Sequence, residues 1–263
     1  MRLTFLGTSS GTEPWPGSRH VSTAIEAGGG VYFVDAGEGC SVAAHLGGID
    51  LLATRAIFIT HTHMDHVGGL PNLFWTMRKL GLIAPVKPHA LTGRTVRLRI
   101  PFLTAWEGML QMLRHTQGGF ALDWSIDAAE YADGDIHRDE HLTVRALHNT
   151  HFGTPAPGEP WRSFSLRVES AGRSVVFSGD TGGIAELVPL VGDGCDLLLM
   201  ETGHHRVEEV CTFVRDAALP VGRLGFTHNG PATMRDKEAL RRAGAEILGR
   251  PILIADDGLT LEV

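Results

Sequence analysis

Apolar positions along the chain change period several times. The short runs RLTFL (2–6), VSTAIEA (21–27) and VYFVDAG (31–37) are rich in β-branched and aromatic residues and are bounded by glycine. That pattern predicts strands, with the polar stretch GTSSGTEPWPGSRH (7–20) as a long loop between the first two. A helix is expected from about Glu38 to Leu46, and a strand over RAIFIT (55–60) that runs straight into HTHMDH (61–66). GGLPNLFWTMRKLG (68–81) then reads as a helix entered through a glycine-rich turn.

The second half uses the same grammar. LTVRAL (142–147), SFSLRVES (163–170) and RSVVFSG (173–179) predict strands, with Ala171-Gly172 as a hairpin turn. DTGG (180–183) is expected to open a helix, CDLLLME (195–201) to form a buried strand, and VEEVCTFVRDA (207–217) a helix. RLGFTH (223–228), a helix over MRDKEALRRAG (234–244), and strands PILIA and LTLEV close the chain. The segment 93–140 reads as a helical and loop insertion. Its WEGMLQML places Trp106, Met109, Leu110 and Leu113 on one helical face, the pattern of a core-facing helix, with a substrate lid or dimer face as the alternative. Residues 123–140 read as a solvated acidic loop. No repeat or linker divides the chain, so 1–263 is expected to be a single domain. The fold class is α/β, two mixed sheets packed face to face with helices outside.

Composition narrows the function classes. With 43% hydrophobic and 20% charged residues, the 263-residue chain reads as globular. A net charge of −7 argues against broad, sequence-independent nucleic-acid binding. Three dispersed cysteines suit neither a disulfide framework nor a cysteine zinc site. No charged-then-apolar leader and no membrane-length apolar run occurs, so a reduced, cytoplasmic protein without membrane attachment is expected.

HTHMDH concentrates the candidate chemistry. His61 and His63, two apart at a strand end, fall on one face in extended geometry, and Asp65 and His66 follow in the turn. Imidazoles and carboxylates suit zinc, and also manganese or iron. Six neighbouring residues cannot complete two coordination shells, so further ligands are required at other strand ends. His148 and His151 follow LTVRAL, Asp180 follows RSVVFSG, and His228 follows RLGFT.

HTHMDH, a histidine loop, FSGDT and then FTH, in this order over nearly the whole chain, resemble the metallo-β-lactamase superfamily. FLGTSSGTE, VSTAIEAGGGVYFVDAGEG and FITHTHMDHVGGLPNL are closest to its phosphodiesterase branch, which includes the tRNA 3′-processing endonuclease, ribonuclease Z. The resemblance implies the αββα sandwich of the metallo-β-lactamase fold with two divalent metal ions at the sheet edge, zinc first, with manganese or iron as alternatives. It implies His61, His63 and one histidine of the 148–151 loop on the first metal, Asp65, His66 and His228 on the second, and Asp180 between them. Counted from Val144, His151 falls at the family position, which leaves His148 to support a ligand from behind or to contact substrate.

A metal pair of this kind lowers the pKa of a shared hydroxide and polarises a phosphoryl group. The implied reaction is phosphodiester hydrolysis, with Asp65 orienting the nucleophile or taking its proton. His205, supported by Glu201, would protonate the leaving oxygen, the branch using a glutamate-backed histidine near this position. Ser9, Arg19 and His20 in the first loop are expected to contact substrate. The endonuclease's protruding basic arm has no counterpart between Pro71 and His151. That departure favours a small-molecule phosphodiester partner over extended nucleic-acid binding, with a homodimer as a further expectation. Lactone, thioester or β-lactam hydrolysis, tRNA 3′ processing, and a non-catalytic metal- or RNA-binding regulator are the alternatives.

Overall fold

The computed structural model describes residues 1–116 and 118–263. Strands β1 (Arg2–Gly7), β2 (Ser22–Ala27), β3 (Gly30–Val34), β4 (Thr54–Phe58), β5 (Thr95–Arg99) and β6 (Ser125–Ala129) form one sheet with the terminal β14 (Thr260–Glu262), in the order β14-β1-β2-β3-β4-β5-β6. Strands β7 (Gly134–Arg138), β8 (Thr143–His148), β9 (Phe164–Ser170), β10 (Arg173–Phe177), β11 (Cys195–Glu201), β12 (Val221–Thr227) and β13 (Leu253–Ile254) form the other, in the order β13-β12-β11-β10-β9-β8-β7. Each sheet is antiparallel on one side and parallel on the other. β3 through β6 and β10 through β13 are the parallel halves.

The helices are α1 (Cys40–Leu46), α2 (Met64–Val67), α3 (Leu70–Ile83), α4 (Leu103–Arg114), α5 (Val188–Val191), α6 (Val207–Asp216), α7 (Pro231–Arg235) and α8 (Lys237–Leu248). Central strands bury both faces, which is why they read as continuous apolar runs. In β3, Tyr32 and Val34 face the other sheet while Val31 and Phe33 face the helical layer. In β11, Leu197 and Leu199 enter the inter-sheet core while Leu198 and Met200 pack under α6. The result is the expected αββα sandwich, with one apolar layer between the sheets and one beneath each helical layer. The hairpin at Ala171-Gly172 has both residues at positive φ, 50° and 75°, as a two-residue turn with right-handed strand twist requires.

Several expectations need correction. Residues 123–140 are not a solvated loop: they supply β6 and β7, the outermost strand of each sheet. Edge strands are half exposed, so SIDAA and GDIHR lack the apolar density that marks a strand in sequence. The 93–140 segment is thus woven into both sheets rather than inserted as a flap. Its helix α4 faces the core, with Trp106 buried and its ring 5.0 Å from Phe74. At DTGG no helix opens; one 3₁₀ turn at Ile184–Leu187 precedes the short α5. The last predicted helix is two, broken at Asp236, whose side chain accepts from Ala239 N–H and starts α8. No helix among the described residues is long and apolar enough to cross a membrane.

Candidate metal centre

Parallel strands in one sheet present their C-terminal ends along one edge, and both sheets do so on the same side of the sandwich. The end of β4 carries Thr60 and His61, and His63 starts α2, which carries Asp65 and His66. Past β8 lies His151, past β10 Asp180, at the end of β11 Glu201, and past β12 His228. Glycine lets these loops approach. A Cβ on Gly37 would sit 2.3 Å from the Asp65 carbonyl oxygen, so no other residue fits between β3 and the metal loop without displacing it.

Residues 162 positions apart in the chain meet here. His61, His63, His151 and Asp180 each offer a donor atom within 4.8 Å of the others, and Asp65, His66 and His228 form a second such group. Asp180 faces both. Its Oδ2 lies 3.7 Å from His61 Nε2 and 3.7 Å from His151 Nε2, while its Oδ1 lies 3.2 Å from His66 Nε2 and 3.2 Å from His228 Nδ1. Within the second group His66 Nε2 and His228 Nε2 lie 3.2 Å apart. His228 Nε2 also lies 3.1 Å from Asp65 Oδ2, which accepts from Gly11 N–H at 2.7 Å.

The donor set fits divalent cations. His61 Nε2, Asp180 Oδ1 and His228 Nδ1 are fully buried and have no hydrogen-bond partner, whereas buried polar atoms are almost always paired. A cation held by these donors would supply the missing partners on both sides of Asp180, and imidazole with carboxylate is a zinc-type donor set.

Charge and burial compete across the cluster. Burial, reinforced by the neighbouring His66 ring, holds His61 well below the usual histidine range, so one ring nitrogen keeps its lone pair free. Burial also opposes charge on His66, but the Asp180 and Asp35 carboxylates outweigh it and raise this ring well above that range. His228 is pushed up to about 9 in the same way, by Asp180, Asp65 and Glu201 against burial. For Asp180, burial is overcome by the facing His66 and His228 rings, which keep the carboxyl far below its ordinary range.

Three residues that sequence reasoning passed over shape the site. Asp35, past β3, accepts from Thr60 N–H and from the Thr60 hydroxyl, and its Oδ2 lies 2.8 Å from His66 Nδ1. Glu186 accepts from the hydroxyls of Thr150 and Thr181 and from Thr150 N–H and Gly182 N–H, joining the His151 loop to the Asp180 loop. Asp257 accepts from Arg19 N–H and from the hydroxyls of Thr8 and Ser18, which pins the first loop. Asp35 lies in the VDAG stretch, where an acid directly after a buried strand was the available signal; Glu186 and Asp257 carry none.

The other expected site residues are placed as follows. Both histidines lie beside Glu201, but His204 makes the hydrogen bonds, while His205 Nε2 stands 3.5 Å from Glu201 Oε1. His204 Nδ1 donates to Glu201 Oε1 at 2.9 Å while its own N–H donates to Oε2 at 2.8 Å, a turn that brings the ring 3.9 Å from Asp180 Oδ2. His205 donates through Nε2 to the Thr181 carbonyl oxygen at 2.9 Å, which commits that nitrogen. Burial opposes ionisation of Glu201, yet hydrogen bonds from His204 and His228 hold its carboxyl down at about 2. The Glu201 hydrogen bond raises His204 despite partial burial.

His148 lies outside both metal groups. It stacks on Trp161 and its Nδ1 donates to Asp133 at 2.7 Å. Ser9 is buried and its hydroxyl is spent on the Arg19 carbonyl oxygen, so it braces the loop rather than facing substrate. Arg19 is exposed, 3.5 Å from Asp257 Oδ2, and His20 lies 3.9 Å from Glu38.

The family model described as anti-Pycsar protein Apyc1 matches residues 1–214. Ribonuclease Z of Mycolicibacterium paratuberculosis is 29% identical over 98% of this chain and 96% of its own length. Ribonuclease Z of Mycobacterium sp. (strain KMS) is 30% identical over 100% of this chain and 96% of its own. Among solved structures, the metallo-β-lactamase fold protein YhfI of Bacillus subtilis aligns with a TM-score of 0.73 at 17% identity, covering 99% of this chain and 98% of that one. The short form of human tRNase Z aligns with a TM-score of 0.69 at 20% identity, covering 100% and 99%. Full-length relatives named for a ribonuclease overturn the expectation of a small-molecule partner with nucleic acid disfavoured; the missing basic arm was too narrow a ground for it. The chain belongs to the anti-Pycsar protein Apyc1 family and is a ribonuclease Z-like, metal-dependent hydrolase of the metallo-β-lactamase superfamily.

Proposed function

We propose that the chain is a phosphodiesterase that holds two divalent cations, zinc by preference, and cleaves phosphodiester bonds of RNA. The observation that carries this is Asp180, whose two carboxylate oxygens face two separate donor groups. His61, His63 and His151 would hold one cation with Asp180 Oδ2, and Asp65, His66 and His228 the other with Asp180 Oδ1. When bound, such a pair supplies a water-derived nucleophile at neutral pH and neutralises charge at phosphorus.

Protein groups do the rest. Asp65, fixed by Gly11 N–H, is placed to take the proton of the attacking water. His204 gives a proton to the leaving oxygen. Its Nδ1 is committed to Glu201, which leaves Nε2 as the donor, and Glu201 stabilises the ring in its charged form. The unpaired buried cysteines suit a reducing cytoplasm.

The test is cleavage of a tRNA precursor bearing a 3′ extension, with zinc or manganese, by the parent protein and by His63→Ala and Asp65→Ala. Metal-dependent cleavage lost in both variants is expected. Hydrolysis of bis-p-nitrophenyl phosphate with no cleavage of any RNA would refute RNA as the substrate and leave the hydrolase standing.

A further inference from the structure

The edge that gathers the metal donors also carries two exposed phenylalanines, Phe152 and Phe102, and a half-buried tryptophan, Trp161, packed against the inter-sheet core. Phe152 follows His151 directly. Its ring centroid lies 5.4 Å from His61, 4.9 Å from His63 and 4.9 Å from His151, yet the residue is 45% exposed. It walls the first metal group on one side and shows solvent the other. Farther along the same loop, Trp161 stacks on His148 with centroids 3.9 Å apart at 21°, and Asp133 holds that histidine in place. The next residue, Arg162, lies over Phe102 at 4.3 Å, and Phe102 is 42% exposed. The Arg162 guanidinium is already paired with Glu130 at 2.8 Å and with the Pro101 carbonyl oxygen. Its charge is satisfied and its plane is fixed. The loop is tied to the metal edge where Phe164 N–H donates to the Thr60 carbonyl oxygen at 3.1 Å.

Isolated exposed rings are ordinary, but apolar surface beside a ligand-binding edge is a place where partners dock. A single-stranded nucleic acid offers successive flat bases, and base–aromatic stacking tolerates any sequence. With a net charge of −7, this chain lacks the broad positive field that holds a phosphate backbone, so stacking has to carry more of the affinity.

We propose that the loop 148–164, together with Phe102, is a base-stacking track for unpaired ribonucleotides on one side of the scissile bond. Phe152 takes the base next to that bond, and the Trp161–His148 and Arg162–Phe102 pairs take bases farther along. The proposal rests on the reading of the centre as an RNA phosphodiesterase.

The test uses the full-length protein in an Asp65→Ala background, where cleavage stops but binding can be followed. A short single-stranded oligoribonucleotide with 2-aminopurine at successive positions is titrated in, and the same oligonucleotide with abasic sites serves as control. Stacking is expected to quench the fluorophore at particular positions. Phe152→Ala and Trp161→Ala should each abolish quenching at one position and weaken binding about ten-fold, the scale of one lost base–aromatic stack. Phe152→Trp and Trp161→Phe should restore both, which separates stacking from damage to the fold. Abasic RNA should bind the parent as weakly as RNA binds the alanine variants, with a shallow salt dependence. Unchanged quenching and affinity in both alanine variants, or abasic RNA binding as tightly as the normal strand, overturns the track. Position-specific quenching by a protein that, with Asp65 restored, cleaves no RNA would instead refute the phosphodiesterase reading and leave the track standing.

Discussion

Asp35 Oδ2 and His66 Nδ1 lie 2.8 Å apart, and both residues are buried. This contact fixes which ring nitrogen of His66 bears the hydrogen and turns Nε2 toward Asp180 and His228. A carboxylate behind a ligating imidazole sets both its tautomer and its orientation. Asp35→Ala should therefore weaken metal affinity about 10–100-fold, the usual scale for such a partner. Competition against a chelating dye measures it. Affinity equal to that of the parent would remove Asp35 from the metal site.

Asp180 joins the two donor groups through separate oxygens. Asp180→Asn keeps the shape and removes the charge. Metal content after gel filtration should fall below that of the parent, and kcat should drop by about 10²-fold or more, as when a group stabilising transition-state charge is lost. Full metal content at normal kcat would contradict a bridging role.

His204 and His205 are adjacent but face different partners, Glu201 and the Thr181 carbonyl oxygen. His204→Ala should lower kcat on RNA, whose leaving alkoxide needs a proton, by about 10²-fold or more. On bis-p-nitrophenyl phosphate, whose leaving group departs without a proton, the loss should be small. His205→Ala should show no such dependence on the leaving group. The reverse pattern would return the role to His205.

Glu186 is held below its ordinary range. Burial opposes this, but hydroxyls of Thr150 and Thr181 and the N–H groups of Thr150 and Gly182 prevail. A depressed carboxyl contributes stability that is present above the unfolded glutamate pKa of about 4.3 and is lost as pH falls through the lower folded value. Thermal melts of the metal-free protein should show Glu186→Gln less sensitive than the parent to acid in that window. Parallel curves would place the acid sensitivity elsewhere.

Trp106 of α4 is 3% exposed against Phe74. Trp106→Ala should destabilise the protein by about 3–5 kcal/mol, as for a large buried aromatic, in urea unfolding followed by circular dichroism. A mobile lid would tolerate the change with little loss.

Central strands such as CDLLLME were legible because both faces are buried and nearly every residue is apolar. Strand ends were legible too, since a histidine or aspartate after an apolar run breaks the pattern. The outer strands β6 and β7 were not, because a half-solvated edge leaves few apolar residues to mark it. Asp35 follows the apolar run of β3 and carried that same strand-end signal, whereas Glu186 and Asp257 are single acids whose importance lies only in what they touch.

Local chemistry along the chain determined the strand-and-helix alternation, the layer architecture and the residue types at each strand end, because those follow from side-chain period and turn residues. Tertiary structure alone decided that Asp180 stands between two groups, that His204 hydrogen-bonds Glu201 while His205 donates to the Thr181 carbonyl oxygen, and that Phe152 opens onto solvent beside the histidines. Convergence depends on how two sheets pack and on the direction each loop takes, and those distances are set by contacts between residues far apart in the chain.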